Sequence, residues 1–510
     1  MLPSHSAFIQ VFGCALIATS EALVAQQFTL SGIPATAGNA TDLVAADFSG
    51  DGALDFLITY ANPPTGGFEV LSRLANGTWG TKGIWGGGQP SAVITAEVNG
   101  DGRPDVVMAS SSPAGSGVGI FSFDSRMQPS GGSTLQSPPP GVRGLAWIRG
   151  DTDASPDLFC FSDSGVYFYR HLGGHAFAPP VVTPTPWLPS NTDVLVADFD
   201  GDGLADRAAI VKQPSQPSQL EVARGDGFGS FLSAVVMTLP SLPFPSSSLV
   251  TDLNRDGLPD LIVDTRVLLA TGGGAFTLLP TALVGSARAT GDFNGDGLPD
   301  ILCQVGPTPS WVPQLQQPGM TFVGSGPGVG ASLITKPFVL DVNQDGRLDI
   351  LALYPAGSSP VYQLATGVLP HAAPNVWPYG IGTPGCRGHI PLSANADPTL
   401  GLASFAITAT NTPINAPGIL LAYSGPIYMS TWPQQLGGLG VTTHIDPLHA
   451  QLVPFSSYGH GQAHFPLPIP AMGFFIYHFQ AVWLAPAGDG ACSDSPLGFV
   501  SSNVLRVQPH

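Results

Sequence analysis

The chain has 510 residues, 64 of them Gly and 51 Pro, while charged residues make up only 10% and include four Glu and three Lys. Strong surface helix formers are therefore scarce, which excludes a mainly helical protein, and 43% hydrophobic content excludes a disordered one. A formal net charge of −18 argues against nucleic acid or an anionic membrane as partner and leaves divalent cations as the natural counter-charge.

Residues 7–18 (AFIQVFGCALIA) form an apolar run too short to span a bilayer comfortably, and small residues suited to cleavage after Ala25 follow it. Residues 1–25 thus read as a secretory signal peptide. No later stretch holds 18 uninterrupted apolar residues, so the mature chain is expected to have no membrane span and to be secreted or displayed at the cell surface.

From residue 27 an internal repeat dominates. Seven segments superimpose: DFSGDGALDFLI at 47, EVNGDGRPDVVM at 97, RGDTDASPDLFC at 149, DFDGDGLADRAA at 198, DLNRDGLPDLIV at 252, DFNGDGLPDILC at 292 and DVNQDGRLDILA at 341. They begin 40 to 54 residues apart, the period of a four-stranded propeller blade. In each unit an apolar stretch precedes the loop (LVAA at 43, VLVA at 194) and another follows it (FLIT at 56, LIVD at 261). A third comes next (FEVLSRL at 68, LEVARG at 220), then a Gly turn and a fourth that begins near an aromatic. These read as antiparallel strands A to D. The last unit lacks D, and QFTLSGIPATA at 27 resembles AFTLLPTAL at 275, so the N-terminal strand is expected to complete the last blade. The expected fold class is all-β: a seven-bladed β-propeller over 27–369 closed by the N-terminal strand, a linker at 370–385, and a small β-sandwich at 386–510.

The loop pattern D-x-[DNS]-x-D-G-x-x-D sets oxygen side chains at positions 1, 3, 5 and 9, with the position 7 carbonyl available and Gly at position 6 for the sharp turn. Hard oxygen donors in that number suit Ca²⁺. The candidate ligands are Asp47, Ser49, Asp51 and Asp55; Glu97, Asn99, Asp101 and Asp105; Asp198, Asp200, Asp202 and Asp206; Asp252, Asn254, Asp256 and Asp260; Asp292, Asn294, Asp296 and Asp300; and Asp341, Asn343, Asp345 and Asp349. In the third loop Arg149 takes position 1 and Ala154 replaces the Gly, so this loop is expected to hold no metal, with Arg149 neutralising Asp151 and Asp153. The seven loops contain 22 of the 35 acidic residues. An EF-hand is excluded because position 12 of the six regular loops is apolar (Ile58, Met108, Ala209, Val263, Cys303, Ala352) where that motif needs Glu.

The repeats resemble the FG-GAP or VCBS type found in the integrin α-subunit propeller and in many secreted bacterial proteins, over about 27–369. The resemblance implies that the A–B loops hold structural calcium in the six regular units. It leaves the activity open, since such propellers include adhesion modules, lectins and parts of lyases.

Beyond the repeat, LASFAITATN at 402 and FFIYHFQAVWL at 474 alternate in the manner of strands. The region resembles a Cys-flanked module of large secreted bacterial proteins that ends in Ser-Asn-x-Leu-Arg, here Ser502, Asn503, Val504, Leu505 and Arg506. Cys386 and Cys492 bracket it and are expected to form a disulfide, whereas Cys160 and Cys303, at one strand B position three units apart, are expected to stay free. His444, His449, His460, His464 and His478 lack the helix and Glu of a zinc motif and read as surface histidines. There is no G-x-S-x-G and no P-loop, and GSGPGVG at 324 reads as a connection, so nothing specifies catalysis. The reading is a secreted calcium-binding scaffold for an extracellular protein or glycan, with a propeller lectin or a polysaccharide-active lyase as the alternative. Turns of a meander alternate faces, so the B–C and D–A loops lie opposite the calcium loops and bring Tyr60, Trp85, Trp187 and Tyr354 to that side as candidate ligand contacts.

Overall fold

In the computed structural model the apolar run after each Asp loop becomes the second strand of an antiparallel sheet: Asp55–Tyr60, Asp105–Ser112, Asp157–Ser162, Asp206–Val211, Asp260–Val263, Asp300–Val305 and Asp349–Tyr354. The structure describes residues 27–34, 40–60, 66–74, 78–86, 88–112, 115–153, 155–184, 193–211, 217–239, 247–306, 310–324, 329–330, 337–343, 347–354, 361–368, 376–379, 390–394, 398, 405–413, 416–424, 434–436, 441–443, 445, 450–457, 462–467, 477–484 and 499–507. Seven sheets, numbered here in chain order, each pair the strand before the loop with the strand after it, then with the third and fourth strands. Sheet 6 gains a short fifth strand, Val329–Gly330, from the glycine-rich connection. In sheet 7 the outermost strand is Gln27–Pro34, which pairs with Val361–Val368 from Gln27 opposite Val368 to Pro34 opposite Val361. The two ends of the repeat region thus meet in one sheet, as the likeness of QFTLSGIPATA to a fourth strand requires; among the described residues no sheet closes on itself.

The period of two in a strand explains how the sheets assemble. In Asp55–Tyr60, Phe56, Ile58 and Tyr60 pack toward sheet 7 with Val342 and Leu351, while Leu57 packs toward sheet 2 with Val106 and Met108. The same division recurs around the molecule. Val107 and Leu158 join sheets 2 and 3, Phe159 and Ala205 join 3 and 4, and Ile210 and Leu261 join 4 and 5. Ile262 and Ile301 join 5 and 6, and Leu302 and Ile350 join 6 and 7. Seven clusters therefore connect seven sheets, and the cluster between sheets 7 and 1 completes a ring of packing. A fully buried Leu, Ile or Phe contributes about 1.5–3 kcal/mol relative to exposure, so a unit without both neighbours forfeits most of its stabilisation.

First strands of consecutive sheets approach one another and line the axis. Fourth strands form the rim, where Val181, Val182, Val235 and Val236 are exposed. Cys160 and Cys303 are buried free thiols in the clusters between sheets 2 and 3 and between sheets 5 and 6. Burial pushes both thiols up, Cys303 to about 12.

After the propeller, a three-stranded sheet (Leu392–Ala394, Ala406–Ala409, Ala463–Pro466) faces a larger sheet that includes Pro417–Ser424, Tyr477–Leu484 and Val504–Val507. Ile407, Phe405, Phe479 and Trp483 fill the space between them. Part of the stretch expected to be a linker is not one. Val376–Tyr379 pairs with Val504–Val507, because Val-Trp between prolines suits an edge strand that the larger sheet leaves room for. Cys386 and Cys492 lie outside the described residues.

Candidate metal centre

In the first, second, fourth, fifth and sixth loops the acidic residue at position 1 gathers main-chain amides of the turn. Asp47 accepts amide hydrogen bonds from Gly50 (2.8 Å) and Asp51 (3.1 Å) on Oδ1 and from Gly52 (2.8 Å) on Oδ2. Asp198 and Asp292 repeat the arrangement with Gly201, Asp202 and Gly203 and with Gly295, Asp296 and Gly297. The turn demands left-handed backbone at position 6, where Gly52, Gly102, Gly203, Gly257 and Gly297 have φ between +83° and +88°. Position 5 turns one oxygen to the amide of position 7, as Asp202 does to Leu204 (2.8 Å) and Asp256 to Leu258 (2.9 Å).

Position 9 does more than supply an oxygen. Asp206, the first residue of its strand, accepts from Phe199 and Asp200 on Oδ2 and from Gly225, beyond the third strand, on Oδ1. Asp157, Asp260 and Asp300 likewise tie loop to third strand through His171, Ala270 and Gln316. Asp55, Asp105, Asp157, Asp206, Asp260, Asp300 and Asp349 are all buried.

This concentration of carboxylates is unfavourable without a cation. Burial first, then the charges of Asp47 and Asp51, push Asp55 up to about 7; burial also raises Asp47 to about 6, Glu97 to about 7, and Asp206 and Asp260 to about 6. Asp55 Oδ1 and Glu97 Oε2 are buried with no hydrogen-bond partner. In the fourth loop, oxygens of Asp198, Asp200 and Asp206 lie within 4.8 Å of one another. Oxygens on opposite sides of one Ca²⁺ stand about 5 Å apart, so that group fits a single ion. Asp202 lies outside it, its Oδ1 committed to the Leu204 amide. The donor set is all oxygen, and the residues present fit calcium. Asp345 lies outside the described residues.

The third loop differs in a way that corrects the sequence reading. Asp151 and Asp153 are paired by Arg170, whose Nε lies 2.9 Å from Asp151 Oδ2 and whose Nη2 lies 3.1 Å from Asp153 Oδ2. Arg149 instead extends over the fourth loop, its guanidinium against Gly203. Its main chain bonds Ala205 of sheet 4, and Gly150 O accepts the Gly229 amide, so backbone contacts draw the Arg149 side chain toward sheet 4. A signal for Arg170 was present: Arg73, Arg170 and Arg224 recur at the ends of third strands, and Arg224 Nη1 lies 3.5 Å from Asp200 Oδ2.

The sixth and seventh loops have neighbours that the sequence did not announce. Thr410 Oγ1 donates to Asp341 Oδ2 (2.7 Å) and Asn411 Nδ2 to the Asp341 carbonyl (3.3 Å). Gln462 grips Asp292, accepting from its amide on Oε1 (2.6 Å) and donating from Nε2 to its carbonyl (3.3 Å). His464, expected at the surface, packs against Gly297, and burial lowers it to about 4.

The candidate ligand contacts fare unevenly. Tyr60 is buried with its hydroxyl on Glu69, because it shares the inward face of its strand with Phe56 and Ile58, so it presents no face to a ligand. Trp85 is half-buried and stacked on Phe68 at 5.3 Å. Trp187 and the side chain of Tyr354 lie outside the described residues.

Comparisons with known proteins bear on the repeat. The model of the FG-GAP-like repeat matches residues 47–108, 151–209 and 292–352. No curated protein matches the chain in sequence. Among solved structures, a lectin of Agrocybe aegerita that recognises non-reducing terminal N-acetylglucosamine is 18% identical, over 62% of this chain and 92% of that one, with a TM-score of 0.41. The exotype rhamnogalacturonan lyase YesX is 11% identical, over 66% and 76%, at 0.42, and the periplasmic gluconolactonase PpgL of Pseudomonas aeruginosa is 14% identical, over 55% and 83%, at 0.38. Seven sheets packed in a ring make the repeat region a β-propeller, and the three FG-GAP-like repeat matches fall within it.

Proposed function

We propose that the protein is a secreted, calcium-stabilised scaffold that binds an extracellular protein or glycan. The observation that carries the calcium part is the buried, unpartnered carboxylate oxygen of Asp55 and of Glu97 beside further acidic groups, an arrangement that a divalent cation relieves. Calcium fixes the geometry of the A–B loops and hence the blade to which each belongs. Ligand capture falls to the opposite face, where connections between sheets vary in length and composition. Trp85, Trp187 and Tyr354 are the aromatic candidates that remain there, Trp85 half-buried and stacked on Phe68. Secretion follows from the signal-like residues 1–25.

The test is a glycan and extracellular-protein array probed with the purified protein, with calcium and with chelator, beside its melting curve in both. Calcium-dependent melting together with selective capture supports the reading. A melting curve indifferent to chelation removes the calcium part, and capture that survives Trp85→Ala with Trp187→Ala removes the aromatic site.

A further inference from the structure

Among the described residues, two of the seven Asp loops are covered by another part of the same chain. Thr410 and Asn411 reach Asp341 of the seventh loop, Gln462 holds the main chain of Asp292 in the sixth, and His464 lies on Gly297. Gly297 has φ +83°, and a Cβ there would stand 2.3 Å from the His464 ring, so the module docks against a glycine that the loop already requires.

The hydrogen-bonding side chains that the described residues of the module bring to this contact, those of Thr410, Asn411 and Gln462, are uncharged. What they cover is anionic: Asp292, Asp300, Asp341 and Asp349 are all buried. Arg255 from the fifth loop acts electrostatically on Asp292 and Asp296. Covering like charges with a neutral surface is unfavourable unless a counter-charge enters with them.

Both contacts are made to the residue at position 1 of a loop, Asp292 in the sixth and Asp341 in the seventh. Gln462 bonds the amide and carbonyl of Asp292, the same residue whose carboxylate gathers the amides of Gly295, Asp296 and Gly297. A cation on that carboxylate therefore fixes the main chain that Gln462 reads. Thr410 touches the Asp341 carboxylate itself.

We propose that the C-terminal module is a calcium-dependent cap, its docking through Thr410, Asn411, Gln462 and His464 coupled to cation occupancy of the sixth and seventh loops. The proposal rests on the calcium reading of the loops. Coupling of this kind is reciprocal: calcium holds the cap down, and the cap tightens calcium in those two loops.

Hydrogen exchange of the full chain with calcium and with chelator tests it. Amides in 405–413 and 462–467 should exchange at least tenfold faster without calcium, while 477–484, in the interior of the module, stays unchanged. Asp200→Asn, in the uncovered fourth loop, should leave exchange at the cap as in the wild type. Thr410→Val with Gln462→Leu should weaken calcium binding about tenfold at two sites in a titration and spare the rest. If the titration shows calcium bound but exchange at the cap is indifferent to it, the cap proposal falls and the calcium reading stands. If no calcium binds, both fall. Equal loss of protection at 477–484 means collapse of the module rather than undocking and also overturns the proposal.

Discussion

Replacing Gly229 by Ala should destabilise the protein by about 2–5 kcal/mol, the sum of a left-handed backbone cost and an overpacking cost. Gly229 has φ +83°, and a Cβ built on it would lie 1.9 Å from Cδ1 and 2.4 Å from Cε1 of Phe168. Ordinary carbon contacts need about 3.5–4 Å, so the ring or the turn has to move by well over an ångström. Neither moves freely. Phe168 is buried against Phe159 at 5.1 Å, and the turn is pinned by the Gly229 amide on Gly150 O (3.1 Å) and by the bridge between Phe228 and Asp151. Gly319 isolates the backbone share, since it has φ +88° in the corresponding turn of sheet 6 and a Cβ added there would meet nothing within 4 Å. Gly319→Ala should cost only about 1–2 kcal/mol. Urea unfolding of both variants in saturating calcium, followed by tryptophan fluorescence, measures the difference. Equal losses would show that the Phe168 contact yields without cost and would refute the packing argument.

Chelation should lower the melting temperature, because each site at a hundredfold excess of calcium over Kd contributes about 2.7 kcal/mol; an identical curve in chelator counts against any filled loop. The chelated protein should lose stability as pH rises from about 4 to about 7, since Asp55 and Asp206 hold protons in the folded state that the unfolded chain has released, and urea midpoints that rise over this range would contradict it. Arg170→Gln should lower the urea midpoint in the wild-type background but not beside Asp151→Asn with Asp153→Asn, and additive effects in that cycle would deny the pairing. Cys160 and Cys303 should resist a thiol reagent until the protein unfolds, so labelling of either in native buffer would place it outside the clusters assigned to it.

Much of the propeller was legible because its signals are local and repeated. FLIT after the first loop and LIVD after the fifth are apolar runs bounded by turns, and the structure makes them strands buried on both faces. The burial of Tyr60 was legible too: it stands four residues beyond Phe56 and so shares its face, a period-two relation that outweighs its place beside a loop. The loop pattern presents position 9 as a ligand only. Its second task, bonding the amide of the third strand, depends on a partner ten to nineteen residues away that carries no side-chain signature. Arg170 and Arg149 exchanged roles for a similar reason, since the main-chain contacts that turn Arg149 toward sheet 4 involve Ala205 and Gly229. The cap lay beyond reach altogether. Thr410 and Gln462 meet loops 69 and 170 residues earlier in the chain, and a single Thr or Gln on a strand end has no pattern to betray such a partner.

The sheet that holds Gln27–Pro34 sets an order of events during synthesis. Of the described strands, Gln27–Pro34 leaves the ribosome first, and its partner is Val361–Val368, among the last residues of the propeller to be made. At about 5–20 residues per second the intervening chain takes on the order of 20–70 s, while a sheet edge of bare amides and carbonyls waits for its neighbour. Six sheets can form in sequence during that interval, each offering a face to the next, whereas the seventh needs both ends at once. A nascent chain stalled before residue 361 would carry an unpaired N-terminal strand beside a sixth sheet with one face bare, and that species is the natural client for a chaperone.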